Sequence, residues 1–274
     1  MSIYADYATI TDVRTNYLGT TATTEDTLLL ALIQNVSREI DAAAARRFYP
    51  RIETRRFDHP VNRQLDMDDD LLAVTTFTNG DATVIASTAY DVLPYNETPA
   101  FALRIKASST VQWQYDSNND SERSLSVLGI WGWHRQYSHA WPETTATLAA
   151  AISSTTATTF TCTTGIVKAG DLLKLDSEYV YASSVSTGAS DTVTCVRGVN
   201  GSTAATHVIS SVLYRWWQPD IMQLCVEAAV AKFLLKNNPV GETVSVGGQT
   251  FSTPKDVNAF IFKRLLGLGA LRTF

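Results

Sequence analysis

The sequence has few cysteines, no excess of positive charge and no long apolar run. Its cysteines, Cys162, Cys195 and Cys225, are odd in number and widely spaced. That fits reduced thiols better than a disulfide framework and leaves a Cys162–Cys195 bridge as the rarer alternative. No stretch reaches the roughly 18 unbroken apolar residues that a membrane helix needs. The opening "MSIYADYATITDV" has no basic region ahead of an apolar run, so the chain is expected to be cytosolically made, unprocessed and without a membrane partner. Lys and Arg total 22 against 27 Asp and Glu, a net charge of -5 with a pI near 5.4. A surface-wide cationic footprint for DNA is therefore excluded.

Catalytic motifs are missing as well. His59, His134, His139 and His207 show no HExxH spacing, and no CxxC is present. "LDMDDDLL" places Asp66, Asp68 and Asp70 at alternate positions of a calcium loop, but Leu71 stands where the loop needs Gly and Phe77 where it needs Glu. A solvated turn before a strand is the expectation there. There is no GxSxG elbow, and Gly247-Gly248 lacks the Lys-Ser/Thr of a phosphate loop. No catalytic residue, metal or cofactor is expected.

What remains is a length of 274 residues with 45% hydrophobic content, enough for a sizeable core. Thr11 and Gly19 bracket a short helix over 12–18. In "TTEDTLLLALIQNVSREIDAAAARRF" the residues Leu29, Ile33, Val36, Ile40, Ala43 or Ala44, and Phe48 step by three and four, predicting a helix over 25–48 that Pro50 ends. Arg46 and Arg47 fall in its last turn, where cations complement open carbonyls. From Ile52 to about Tyr137 the period becomes two. "IETRRFDH", "LLAVTTFTNGDATVI" with a hairpin at Asn79-Gly80-Asp81, "YDVLPYN", "FALRIKA", "VQWQY" and "SLSVLGIWGWHRQY" read as an antiparallel sheet.

Composition then shifts to Thr, Ser, Ala and Gly, so 143–213 reads as an inserted β domain, a small barrel or sandwich. Pro219 opens a helix over 219–236 that is apolar around most of its circumference and hence buried or sandwiched. A hairpin around Gly247-Gly248 precedes a helix over 254–266, capped by Thr253 and begun by Pro254. The expected fold class is α+β. It comprises a helical bundle with two long helices and shorter N- and C-terminal ones, an antiparallel β region, and the inserted all-β domain. The domains are 1–142, 143–213 and 214–274.

Two compositional features bear on function. Trp131, Trp133, Trp141, Trp216 and Trp217 flank the insertion, whose ends must leave and re-enter the parent fold close together. They read as a packed junction, with stacking on bases or sugars, or an inter-subunit contact, as alternatives. Arg46, Arg47, Arg51, Arg55 and Arg56 crowd an otherwise acidic chain. They are either a solvated face or interface arginines whose partners are Asp66, Asp68, Asp69 and Asp70 of a neighbouring copy.

Read in order, "SREIDAAAARRFYPRIETRRFD", "LDMDDDLLAVTTFTNGD", "YDVLPYNETPAFALRI", "VLGIWGWH" and "WQPDIMQLCVEAAVAKFLLKNN" resemble the head-tail connector (adaptor) proteins of long-tailed bacteriophages. "AGDLLKLDSEYVYASSVS" through "VTCVRGVNGSTAATH" is similar to a small β module of phage virion proteins. The resemblance implies a non-enzymatic structural protein in the neck of the virion, assembled in the host cytoplasm. It would form a homo-oligomeric ring, usually dodecameric, beneath the portal. The ring extends the DNA channel without sequence-specific binding and gives a platform for a stopper or tail-terminator protein. Phe260, Ile261, Arg264, Leu265, Leu268, Leu271, Arg272 and Phe274 are then the expected portal-docking segment. The other reading of the residues is a carbohydrate or host-surface binding module using the Trp-rich junction and the β insertion.

Overall fold

Residues 5–236, 243–246, 249–252 and 256–272 are described by the structure, a computed structural model. Among the described residues the chain is mostly β, with two antiparallel sheets of five and six strands, about 24% helix and three helices of seven or more residues. This corrects the expected helical bundle. The apolar periodicities mark real helices, but each of the two sheets has a hydrophobic core of its own.

Two compact units are formed, one from Tyr49–Ala140 and the other from Met1–Phe48 with Trp141–Phe274. The first is a sheet of β1 (Arg51–Phe57), β2 (Gln64–Thr78), β3 (Tyr90–Leu93), β4 (Ala100–Ile105) and β5 (Leu125–Trp131), in the order β1-β5-β2-β4-β3. Strand β5 buries every second residue, Leu125, Val127, Gly129 and Trp131, as a one-sided strand must. Leu125, Val127 and Trp131 form the core with Phe57, Leu71, Phe77 and Leu103. Gly129 has to be glycine, since a Cβ there would stand 2.7 Å from the Ala73 carbonyl oxygen.

Two sequence expectations fail in this unit for physical reasons. Asp66–Asp70 is not a turn; it lies within β2, whose register against β4 shifts between Asp66 and Leu71. That bulge gives an acidic run room in a strand. "VQWQY" forms no strand. Asn79 pins it instead, its Nδ2 donating to the Gln112 carbonyl at 2.8 Å while its Oδ1 accepts from Gln114 N–H at 3.0 Å. The turn at Asn79-Gly80 forms, but the returning chain meets β2 only through one isolated bridge, Thr78 to Val84.

The second unit joins helices to a β domain. Helix α1 (Asp26–Ala44) buries Leu29, Ile33, Val36, Ile40 and Ala44, the expected stripe. At about 1.5–3 kcal/mol for each large side chain, that stripe fixes the helix. It ends four residues earlier than expected, with Ala45 left-handed, and Arg46 and Arg47 lie beyond it. Two distant groups set the end. Phe48 N–H donates to the Tyr7 hydroxyl at 3.0 Å, and Arg272 N–H donates to the Ala44 carbonyl at 3.1 Å.

Helix α2 (Pro219–Leu235) is apolar all round, buries nine side chains and packs on α1 through Cys225, whose sulfur lies 3.5 Å from Ser37 Oγ. Helix α3 (Val257–Gly267) completes the group and is capped by Asp256, which accepts from Asn258 and Ala259 N–H. Thr253 and Pro254, the expected cap, lie outside the described residues, as do Gly247 and Gly248. The strands around those glycines, 243–246 and 249–252, pair antiparallel. Ahead of the short N-terminal helical segment, Asp12–Tyr17, Thr11 makes no side-chain cap; Thr9 Oγ1 instead accepts from Asp12 N–H at 3.2 Å while Thr9 N–H donates to Asp12 Oδ2 at 3.0 Å. Gly19, at φ +65°, ends it as expected.

The β domain of this unit runs through β6 (Glu143–Thr147), β7 (Thr159–Cys162), β8 (Leu172–Leu175), β9 (Glu178–Ser186), β10 (Asp191–Val196) and β11 (Val212–Arg215), ordered β6-β11-β8-β9-β10-β7. The last strand returns to the first. Leu148 bridges Cys162, Ala149 N–H reaches the Thr161 carbonyl at 2.9 Å, and Thr163 N–H reaches that of Thr147 at 3.1 Å. The sheet is thus a small closed barrel filled by Leu148, Leu173, Leu175, Val180, Val193 and Leu213.

Candidate functional site

The arginine and aspartate clusters meet each other within one chain. Arg51 and Arg55 project from β1 with Glu53. Arg51 pairs with Glu53 at 2.9 Å and Asp69 at 2.8 Å, and Arg55 pairs with Asp69 at 2.7 Å and Asp68 at 3.0 Å. Beneath them lies Trp131, fully buried, stacked on Phe57 and donating its indole N–H to the Glu53 carbonyl at 3.0 Å. Burial pulls the Asp69 carboxyl upward. The Asp70 N–H and the charges of Arg55 and Arg51 outweigh it, so Asp69 lies below the ordinary carboxylate range. Arg56 and Asp66 are exposed, Asp70 is buried, and Arg46 and Arg47 are half-buried.

The tryptophans divide between the two units. Trp131 and Trp133 are buried in the five-stranded sheet unit. In the other, Trp141 meets Trp216 edge-on and stacks on Tyr179, each at 5.1 Å between ring centroids, and Trp216 N–H donates to the Phe48 carbonyl at 3.0 Å. That contact ties the end of the barrel to the chain leaving α1. Trp217 is exposed.

Of the expected docking residues, Ile261 and Leu265 belong to the core of their own unit. Arg264 is exposed and pairs with Glu227 at 3.2 Å. Phe260, Leu268, Leu271 and Arg272 are half-buried, and Phe274 lies outside the described residues. The outer face of α3 instead carries Phe262 and Leu266, 51% and 61% exposed and one turn apart. Their i, i+4 spacing was visible in the sequence.

Sequence reading missed a buried ionic network in the barrel. Glu178, with no exposed surface, accepts from Arg197 Nε and Nη2 at 2.6 Å each, from Gly198 and Ala205 N–H at 3.0 Å, and faces His207 Nε2 at 2.8 Å. The other His207 nitrogen faces Asp176 at 2.7 Å. Burial raises the Glu178 carboxyl, and these hydrogen bonds with the Arg197 charge more than reverse that, leaving it lowered. A carboxylate so enclosed holds the loops at 197–207 in place.

Cys162, Cys195 and Cys225 are free and buried; burial pushes the first two up to about 11 and Cys225 to about 12. Thiols held there are poor nucleophiles. Among the described residues no group of three or more His, Cys, Asp or Glu is placed to hold a metal ion, and no helix is long and apolar enough to cross a membrane.

Known proteins give no relative: no family model, no curated protein and no solved structure matches the chain.

Proposed function

We propose that this chain is a structural assembly protein, a head-tail adaptor that forms a ring of its own copies beneath a portal. In that role it carries the DNA channel onward to a stopper or tail-terminator protein. The observation that carries the reading is the outer face of α3, where Phe262 and Leu266 stand exposed above a buried stripe of Val257, Ile261 and Leu265. A short helix apolar on both sides has one face for its own chain and one for a partner. The buried Glu178 is engaged by Arg197, His207 and two backbone N–H groups in structural pairing, which suits a protein that makes contacts rather than bonds. The order of sequence segments that resembles the phage adaptors supplies the identity of the partner. A net charge of -5 suits a channel through which DNA must slide without being held.

Native mass measurement of the chain mixed with portal rings tests this. The expected species is a portal with a full complement of adaptor copies, lost in the Phe262→Ser, Leu266→Ser double variant. Particles that lack the protein yet keep their genome and join tails would overturn it.

A further inference from the structure

We propose that the barrel carries a binding groove for an acidic sugar, a hexuronate unit of a polysaccharide, which stacks on Trp217 and places its carboxylate against Arg215 and Lys168. The proposal stands apart from the assembly role and uses a different surface.

A groove of about 470 Å³ opens between the start of β6, the loop at 165–168 and the end of β11. That is within the roughly 300–1,000 Å³ usual for small-ligand clefts. Two cations converge on it in a protein that is acidic as a whole. Arg215 is held from behind by Asp171 at 3.6 Å, an ion pair too long for a hydrogen bond, and its guanidinium makes no hydrogen bond among the described residues. Lys168 spends one long contact, 3.5 Å, on Asp12. Both heads are positioned yet keep donors to give, and the planar fork of an arginine matches a carboxylate at two points.

The aromatic element stands beside them. The Arg215 guanidinium lies 5.8 Å from the Trp217 ring centroid, and Trp217 is 36% exposed. The guanidinium lies over part of the ring, so a ligand resting its C–H face on the exposed remainder of the indole meets the guanidinium at its edge. Gly165, at φ +81° with nothing within 4 Å of where a Cβ would stand, leaves the opposite wall open. The exposed Thr145 and Glu143 provide hydroxyl and carboxylate partners for sugar hydroxyls.

The mixture selects the ligand. A polynucleotide would drive a row of phosphates past Glu143 on a protein of net charge -5, which costs affinity. A hexuronate brings one carboxylate per ring and otherwise neutral hydroxyls. That matches two cations, one acceptor carboxylate and an aromatic face.

The test is titration of the full chain with trigalacturonate, by calorimetry and tryptophan fluorescence, beside its methyl ester and a single-stranded oligo-dT. Saturable binding of trigalacturonate is expected, with the ester weaker by about tenfold or more, which is about 1.4 kcal/mol. Trp217→Ala, Arg215→Gln and Lys168→Gln should each weaken it by about tenfold at an unchanged thermal midpoint. Absence of trigalacturonate binding, equal binding of the ester, tighter binding of oligo-dT, or full binding by Trp217→Ala would each overturn the proposal.

Discussion

The Arg55 guanidinium lies 4.8 Å from the centroid of the Trp131 ring and at the same time pairs with Asp69 at 2.7 Å. Charge, aromatic face and carboxylate are thus arranged within one sheet. The consequence is that this cluster stabilises its own chain. Asp69→Ala, which leaves Arg51 and Arg55 without their shared partner, is expected to lower unfolding free energy by about 2–4 kcal/mol. Denaturant titration of the variant gives the number, and a loss below about 0.5 kcal/mol would assign the cluster to contacts outside the chain.

Glu178 predicts an acid-sensitive barrel. Its carboxyl titrates lower in the folded chain than the ordinary value of 4.5, so its stabilising contribution is complete above that value and is lost as pH falls through the lowered one. Glu178→Gln should cost about 3 kcal/mol or more at pH 7, because Arg197, 5% exposed, keeps its charge with no counterion. The difference from the parent chain should shrink below pH 4, as followed by circular dichroism.

Asp6 behaves in the opposite sense. Burial pushes it up from 3.8 to about 6 against the pull of Arg38 and a hydrogen bond from Gln34. Folding therefore favours its protonated form: the penalty is full above about pH 6, shrinks as pH falls towards 3.8, and vanishes below that. Asp6→Asn is expected to raise the thermal midpoint at pH 7, by an energy of order 1–2 kcal/mol, and to leave it unchanged at pH 3.5. A midpoint that drops at pH 7 would mean that the attraction of the Arg38 charge outweighs the burial.

The three thiols give a labelling prediction. With the folded values near 11 to 12, iodoacetamide at pH 8 should leave Cys162, Cys195 and Cys225 unmodified in the native chain and label all three in guanidinium. Mass measurement of intact protein reads this directly, and rapid native labelling of any one would show that its surroundings open.

On α3 the two faces should respond differently. Leu265→Ala, at a site with no exposed surface, should cost about 2–4 kcal/mol, whereas Leu266→Ala should change stability by about 0.5 kcal/mol or less. Chemical denaturation of both variants separates the core stripe from the outward face.

Local periodicity made much of the fold legible. The steps of three and four from Leu29 to Ala44 fix α1 because a helix of that length must bury one stripe, and the alternation in "SLSVLGIW" fixes β5 for the corresponding reason in a sheet. Contacts remote in sequence were not legible. The end of α1 depends on Tyr7 and Arg272, the strap at 111–115 on Asn79, and the strand character of Asp66–Asp70 on Arg51 and Arg55 answering its charge. The share of helix was overestimated because a strong amphipathic period reports that an element exists, not how much of the core it fills. Among site residues, the types of the arginine and aspartate clusters were readable, but their mutual pairing was not. Lys168 and Arg215 were invisible as a pair, since only closure of the barrel brings the 165–168 loop beside the end of β11.

The Ala44 carbonyl that closes α1 waits for the Arg272 amide, more than 200 residues later in the sequence. At about 5–20 residues per second, the helix leaves the ribosome on the order of ten seconds or more before its terminating donor exists. A translation product that stops before α3 would carry an open α1 terminus and lack the part of the stripe's cover that α3 supplies. Such a fragment exposes the kind of apolar surface that chaperones and proteases recognise.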